Sequence, residues 1–208
     1  MILIGQYDSP FVRRVAITMR LYGIPFEHRP WSVWGDADKI AAHNPLRRVP
    51  TLLLDDGTAL VETFAIVDAL DELAPPERAL LPRSGPVRRD GLRIAALSSG
   101  LADKAVSLLY EGMFRKAPSE SWMDRCKTQI VATLDALETE RAARSSRYWL
   151  GAGLSHADVA FTCALRFTRE SHPTVFDPAR HPALAEHAAR CEGLEDFRAI
   201  YQPITNNL

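Results

Sequence analysis

Asn44-Pro45-Leu46-Arg47-Arg48-Val49-Pro50-Thr51-Leu52, followed by Val61-Glu62-Thr63, carries the strongest indication of how this chain folds. Proline has no amide hydrogen, so Pro50 suits the first residue of a strand and not its interior. The stretch therefore puts a Val-Pro step at the mouth of a strand and an acidic-hydroxyl pair at the start of the next helix. A cis bond at Val49-Pro50 would turn the chain sharply and expose the backbone of Val49. That backbone could pair with an extended peptide as a short strand would. Glu62 offers a carboxylate and Thr63 a helix N-terminus for the charged end of the same peptide. A small zwitterionic peptide is the ligand these features suit.

Outward from this stretch, strand and helix patterns alternate. Met1 to Ile4 reads as a buried strand. Ser9-Pro10 reads as an N-cap with proline at the first helical position. Val12, Val15, Ala16, Met19 and Tyr22 then fall on one helical face, and Gly23 stops the helix. Pro25 to Arg29 reads as a second strand, and Trp31 to Asn44 as a loop with a helical turn or two. Thr51–Leu54 and Ala59–Val61 flank Asp55-Asp56-Gly57, a hairpin signal. Thr63 is expected to cap another helix, with Ile66, Val67, Leu70 and Leu73 facing inward. The order βαβ then ββα implies a mixed sheet with helices packed on it.

After Leu73 the composition changes. Ala74-Pro75-Pro76 and Leu81-Pro82-Arg83-Ser84-Gly85-Pro86 read as a linker. Beyond it no strand pattern appears. Long helical patterns run from Val87 to Phe114 and from Glu120 to Arg144, where Ile130, Leu134, Leu137 and Arg141 form one stripe. Shorter ones follow at Ala157–Arg169, Pro182–Cys191 and Leu194–Tyr201. In Ser155-His156-Ala157-Asp158, Ser155 can cap a helix while Asp158 reaches back to the Ser155 amide, which is a folding signal. The expected division is an α/β domain over residues 1–77 and an all-helical domain over 86–208.

Composition narrows the function. The 208 residues carry a formal net charge of −1 and 47% hydrophobic residues, which fills a core and marks neither a nucleic-acid binder nor a membrane-surface protein. The basic pairs Arg13-Arg14 and Arg47-Arg48 are too short for a stripe that tracks phosphates. Cys126, Cys163 and Cys191 cannot all pair with one another and have no short metal-like spacing, so they read as buried free thiols in a reducing compartment. The six histidines show no ligand spacing, and no metal or other cofactor is expected. The opening residues lack the flanks of a signal peptide, and no apolar run approaches the ~20 residues that span a bilayer. A cytoplasmic location is the expectation.

Taken together, N-P-x-x-x-V-P-x-L, then Glu62-Thr63, a proline-rich linker and G-x-x-x-S-x-A-D over residues 151–158 resemble the cytosolic glutathione S-transferases along the whole chain. The resemblance implies a thioredoxin-like N-terminal domain, an all-helical C-terminal domain and a homodimer. It implies a glutathione site in the first domain and a site for a hydrophobic co-substrate between the two. Carried over, Val49 pairs its backbone with the cysteinyl part of glutathione and Pro50 is the cis proline. Glu62 and Thr63 hold the γ-glutamyl end, and Arg48 approaches the glycine carboxylate. Thr63 stands where many relatives have serine, and it keeps the hydroxyl.

The catalytic turn of the family falls on Tyr7-Asp8-Ser9-Pro10-Phe11. Ser9 takes the place of the thiol-activating residue, and Tyr7, at the end of the first strand, is its rival. Serine there, in place of cysteine, argues against disulfide-reduction chemistry. Phe11, Trp34, Tyr110, Met113 and Phe114 are the apolar candidates for the co-substrate pocket. The expected activity is conjugation of glutathione to a hydrophobic electrophile. A glutathione-dependent isomerase of the maleylacetoacetate type and a non-catalytic glutathione-binding module are the alternatives; the former usually carries a Ser-Ser-x-Cys run that Asp8-Ser9-Pro10-Phe11 lacks.

Overall fold

The computed structural model describes residues 1–204 and divides into two compact units, Met1–Leu80 with the segment from Leu194 onward, and Leu81–Gly193. The first unit holds a four-stranded sheet in the order β2-β1-β3-β4, formed by β1 (Ile2–Ile4), β2 (Glu27–Arg29), β3 (Thr51–Leu53) and β4 (Ala59–Val61). β1 runs parallel to β2 and antiparallel to β3, and β3 pairs antiparallel with β4. In the hairpin the Asp56 carboxylate accepts from the Thr58 amide, so the turn closes on local chemistry.

α1 (Pro10–Tyr22) packs on β1 and against α3 (Thr63–Leu73). Its expected apolar face, Val12, Val15, Ala16, Met19 and Tyr22, is buried. Gly23 ends it in the left-handed region at φ 69°, where its amide reaches Arg20 and the Ile24 amide reaches the Met19 carbonyl; glycine adopts that conformation without a Cβ penalty. α2 (Ala37–Ala41) is the short helix expected in the loop before Asn44. In α3, Ile66, Val67 and Leu70 are buried as expected, but Leu73 is 52% exposed. The helix ends there, so its last side chain passes the edge of the core.

The C-terminal segment departs from the expected division. α8 (Glu195–Ala199) packs on α1 in the first unit. Arg13, which is buried, holds it there by donating to the carbonyls of Ile200 (2.8 Å) and Phe197 (3.0 Å), with the Arg20–Asp196 pair and the burial of Phe197 and Ile200 beside it. These are carbonyls at and near the end of α8 that the helix itself leaves unpaired, so the arginine serves as their cap.

The second unit is a helical bundle of α4 (Pro86–Phe114), α5 (Glu120–Ala142), α6 (His156–Ser171) and α7 (Pro182–Glu192). α4 packs on α5 and α6, and α7 packs on both of those. The stripe Ile130, Leu134, Leu137 and Arg141 is buried as its spacing predicts. The capping box at the start of α6 is present, and Asp158 is fully buried. The three cysteines are free and buried. No helix among the described residues is long and apolar enough to cross a membrane.

Candidate functional site

Gly5, just after β1, sets the geometry of the candidate site. Its φ is 127°, and a Cβ there would stand 2.5 Å from the Val12 side chain and 2.8 Å from Val49 Cβ. Only glycine lets the strand end, the first turn of α1 and the Val49-Pro50 step come this close. The Val49-Pro50 bond is cis.

Asn44 holds that step from both sides. Its side chain is buried, and Nδ2 donates to the Arg48 carbonyl (2.9 Å) and to Thr51 Oγ1 (3.0 Å). Its Oδ1 accepts from the Leu46 amide at 3.0 Å. Arg48 and Thr51 bracket Val49-Pro50, so one amide side chain fixes both ends of the turn. Among the described residues the N–H and C=O of Val49 itself have no partner. An anchored backbone with an open donor and acceptor is what a short antiparallel peptide needs. Sequence reading quoted Asn44 but gave it no role; the Asn-Pro pair, a turn-initiating dipeptide, was the available signal. Replacing Asn44 with alanine is expected to lower stability by about 1–3 kcal/mol, since three hydrogen bonds are lost while Thr51 Oγ1 keeps its bond to the Arg48 carbonyl at 3.2 Å. Urea titration measures it, and a change below about 0.5 kcal/mol, the range of ordinary surface substitutions, would contradict the anchoring role.

The start of α3 faces the same cleft, which Phe11, Asn44, Arg48, Val49, Pro50, Glu62 and Thr63 line. Glu62, not Thr63, is the cap residue, and Thr63 is the first helical residue. Glu62 has φ 67°, a left-handed backbone that non-glycine residues seldom adopt and that clusters at binding sites. No side chain caps the helix. The first intrahelical donor is Ile66, bonded to the Glu62 carbonyl, and the amides of Thr63, Phe64 and Ala65 have no partner among the described residues. Three free amides at the positive end of a helix make an anion site, with the buried Thr63 hydroxyl beside them.

Charge is available at the rim. Arg48 Nη1 lies 3.2 Å from Glu62 Oε1, with both side chains more than half exposed. Such a pair is worth ~0–1 kcal/mol, so a zwitterion can open it and offer each member a new partner. The enclosed part of the cleft is about 30 Å³, room for one carboxylate-sized group, so the rest of a peptide would lie in the open.

Ser9 and Tyr7 part ways in the structure. Ser9 is the N-cap of α1, and its Oγ accepts weakly from the Val12 amide at 3.4 Å. Capping uses a lone pair and leaves the hydroxyl proton to donate. Pro10 has no N–H, and the Phe11 amide has no partner among the described residues, so the first turn of α1 offers an amide near the Ser9 hydroxyl; Phe11, and not Ser9, is among the residues that line the cleft. The Tyr7 ring instead stacks on His28 with centroids 3.8 Å apart. Burial raises the Tyr7 pKa above its ordinary value, with Arg20 in the last turn of α1 opposing, so its phenol stays neutral.

Of the apolar candidates, the structure brings Phe11 into the cleft. Trp34, in the first unit, is 48% exposed. Tyr110 and Phe114, at the end of α4 in the second unit, meet edge to face with centroids 5.5 Å apart, and Met113 lies between them in sequence, half-buried.

One further group contains possible metal ligands. Asp158, His187 and Cys191 bring ligand atoms within 4.8 Å of one another, all buried. His187 and Cys191 sit one turn apart on α7, a spacing that sequence reading passed over. Asp158 already accepts from the amides of Trp149 (2.9 Å) and Ser155 (2.8 Å), and His187 Nε2 lies 3.1 Å from it. Burial pushes the Cys191 thiol up to about 12, so it is a neutral thiol at physiological pH. The hydrogen-bonding needs of Asp158 are met by protein groups, and the cluster reads as core structure.

The model of the glutathione S-transferase N-terminal domain matches residues 3–78, and that of the C-terminal domain matches 120–190. An uncharacterised GST-like protein of Escherichia coli, YibF, is 32% identical over 137 residues, covering 65% of this chain and 67% of the relative. Mouse maleylacetoacetate isomerase is 29% identical over 205 residues, covering 96% of this chain and 91% of the relative. A glutathione S-transferase of Methylobacterium radiotolerans, solved with glutathione sulfonate, superposes with a TM-score of 0.89 at 27% identity, covering 100% of this chain and 98% of that one.

Proposed function

The chain belongs to the glutathione S-transferase family, and we propose that it conjugates the glutathione thiolate to a hydrophobic electrophile. The observation that carries this reading is the unpaired backbone of Val49 beside the three free amides of α3. In this reading glutathione lies extended. Its cysteinyl N–H and C=O pair with Val49, its γ-glutamyl carboxylate meets the Thr63 hydroxyl and the α3 amides, and its ammonium meets Glu62. Arg48, released from Glu62, takes the glycine carboxylate. The structure of the Methylobacterium radiotolerans relative holds a glutathione analogue, which supports the assignment of the ligand.

Ser9 then meets the sulfur. A free thiol of pKa ~8.5 is mostly protonated at neutral pH. Lowering its pKa by about two units takes ~2.7 kcal/mol of preference for the thiolate. A hydroxyl hydrogen bond to a charged sulfur contributes ~1.5–3 kcal/mol, and the positive end of α1 adds ~0.3–1 kcal/mol. These suffice without a metal. The thiol proton goes to solvent, sulfur attacks the electrophilic carbon, and any leaving group departs with its electron pair. Phe11, Trp34, Tyr110, Met113 and Phe114 are the apolar residues proposed to meet the electrophile. A homodimer and a cytoplasmic setting belong to the same proposal.

Calorimetric titration with glutathione tests it. Millimolar or tighter binding is expected, and Thr63→Val is expected to weaken it about tenfold, the equivalent of ~1.4 kcal/mol for one lost hydrogen bond to a charged group. Absence of binding at millimolar glutathione would favour a module that kept the fold and lost the site.

Glutathione-dependent isomerisation is a second reading, favoured by the likeness to the mouse isomerase. The turn Asp8-Ser9-Pro10-Phe11 tells against it, because it has one serine and no cysteine. Stoichiometry separates the two: conjugation consumes glutathione, and isomerisation returns it.

A further inference from the structure

The second unit carries an open cavity of about 540 Å³ where the end of α5, the loop after it and α7 meet. This volume falls in the range of small-ligand sites. Arg141, Arg144, Arg147 and Arg190 line it, with Glu186 as the acidic residue of the lining.

The charges do not balance. Arg144 is paired with Asp90 at 2.8 Å, and Arg190 is paired with Glu186. Arg141 spends its donors on backbone carbonyls, that of Ser146 at 2.5 Å, and lies over the Trp149 ring. Arg147 lies over the Tyr148 ring at 5.6 Å. Among the described residues neither Arg141 nor Arg147 has a carboxylate within ion-pair distance. Burial, and next the charge of Arg190, push the Arg141 pKa below its ordinary value. Like charges gathered in a concavity where they outnumber the carboxylates of the lining are costly, and an anion placed among them relieves the repulsion.

The loop adds donors of its own. The amides of Ser145, Ser146 and Arg147 have no acceptor among the described residues, and neither has the Ser145 hydroxyl. Successive free amides beside guanidinium groups form a concavity suited to tetrahedral oxyanions. Guanidinium forks match phosphate oxygens in pairs. Four arginines against one glutamate in the lining leave an excess of positive charge, with Arg147 the arginine whose guanidinium is most open to a ligand, and this suits a phosphate of charge about −2 better than a single carboxylate.

We propose that this cavity binds the phosphate dianion, free or as the monoester of a small metabolite, in a site of the second unit that takes no part in thiol chemistry. Glu186 neutralises Arg190 in the empty site and limits affinity there.

The test is calorimetry at constant ionic strength with inorganic phosphate and with adenosine monophosphate, against sodium chloride as the control. Saturable binding is expected to the wild-type chain and not with chloride. Arg147 is exposed, so Arg147→Gln is expected to fold normally and to weaken phosphate binding about tenfold, and Glu186→Gln to tighten it about threefold. Glutathione affinity should be the same in all three proteins. Binding of phosphate alone identifies the free anion as ligand, and tighter binding of the monophosphate identifies the ester. Saturation no stronger than with chloride, or equal affinity in wild type and Arg147→Gln, would overturn the proposal.

Discussion

Asp158→Ala is expected to destabilise the protein by about 3–5 kcal/mol, against total stabilities of about 5–15 kcal/mol for proteins in general. The carboxylate is fully buried and is an acceptor for four groups: the amides of Trp149 and Ser155, the Ser155 hydroxyl, and His187 Nε2 at 3.1 Å. Removing it orphans buried donors, each at a cost of ~1–3 kcal/mol, and removes the capping box of α6. A loss of this size lowers Tm by roughly 6–20 °C. Asp158→Asn keeps one acceptor oxygen and should lose about half as much, because its amide group would face donors. Thermal unfolding measures both, and a fall of less than ~2 °C for the alanine variant would show that water or rearrangement replaces the carboxylate. The glutathione affinity of the folded variant should be unchanged, since the proposed glutathione contacts are in the first unit. This separates a structural role from a catalytic one.

Ser9→Ala is expected to lower kcat/KM for conjugation by about 10–150-fold, the equivalent of the ~1.5–3 kcal/mol given to its hydrogen bond with the thiolate. KM for glutathione should change little, since the recognition contacts assigned to Val49, Glu62 and Thr63 remain. The same substitution removes the cap of α1, worth ~1 kcal/mol, so activity is compared below the unfolding range. Ser9→Thr keeps the hydroxyl and should restore most of the rate. Tyr7→Phe should cost less than about threefold, because the Tyr7 ring is stacked on His28 and its phenol is held neutral. A larger effect at Tyr7 than at Ser9 would reverse the assignment.

The legible parts of this chain were those with a local cause. Asp55-Asp56-Gly57 announced its hairpin, Ser9-Pro10 and Gly23 bracketed α1, and the spacing of Ile130, Leu134, Leu137 and Arg141 placed an arginine on a buried stripe. The family pattern then named the candidate ligand, which no local rule could do. Features with distant causes were hidden. Arg13 read only as half of a basic pair too short to track phosphates, because its partners are carbonyls of Phe197 and Ile200 at the other end of the chain. That interaction is one of several, with the Arg20–Asp196 pair and buried Phe197, that hold the last helix on the first unit and not in the expected second domain. The left-handed backbone of Glu62 was hidden for another reason: glutamate has no preference for that region, so the conformation comes from the chain around it. It shifts the cap by one residue and leaves the Thr63 amide free. The arginines of the second cavity lie on a helix end, a loop and another helix, and only folding gathers them.

In the proposed function Ser9 holds glutathione as a thiolate while the Val49 and Glu62-Thr63 segments hold it in place. Ultraviolet titration of the thiolate of bound glutathione across pH 5–9 checks it. A midpoint near pH ~6.5 is expected in the wild-type protein, about two units below a free thiol, with a rise of about one to two units in Ser9→Ala. The bound thiol ionises below its solution value, so the thiolate persists as pH falls toward the lower midpoint and is lost beneath it. A wild-type midpoint near ~8.5, or the same midpoint in both proteins, would contradict stabilisation of the thiolate by Ser9.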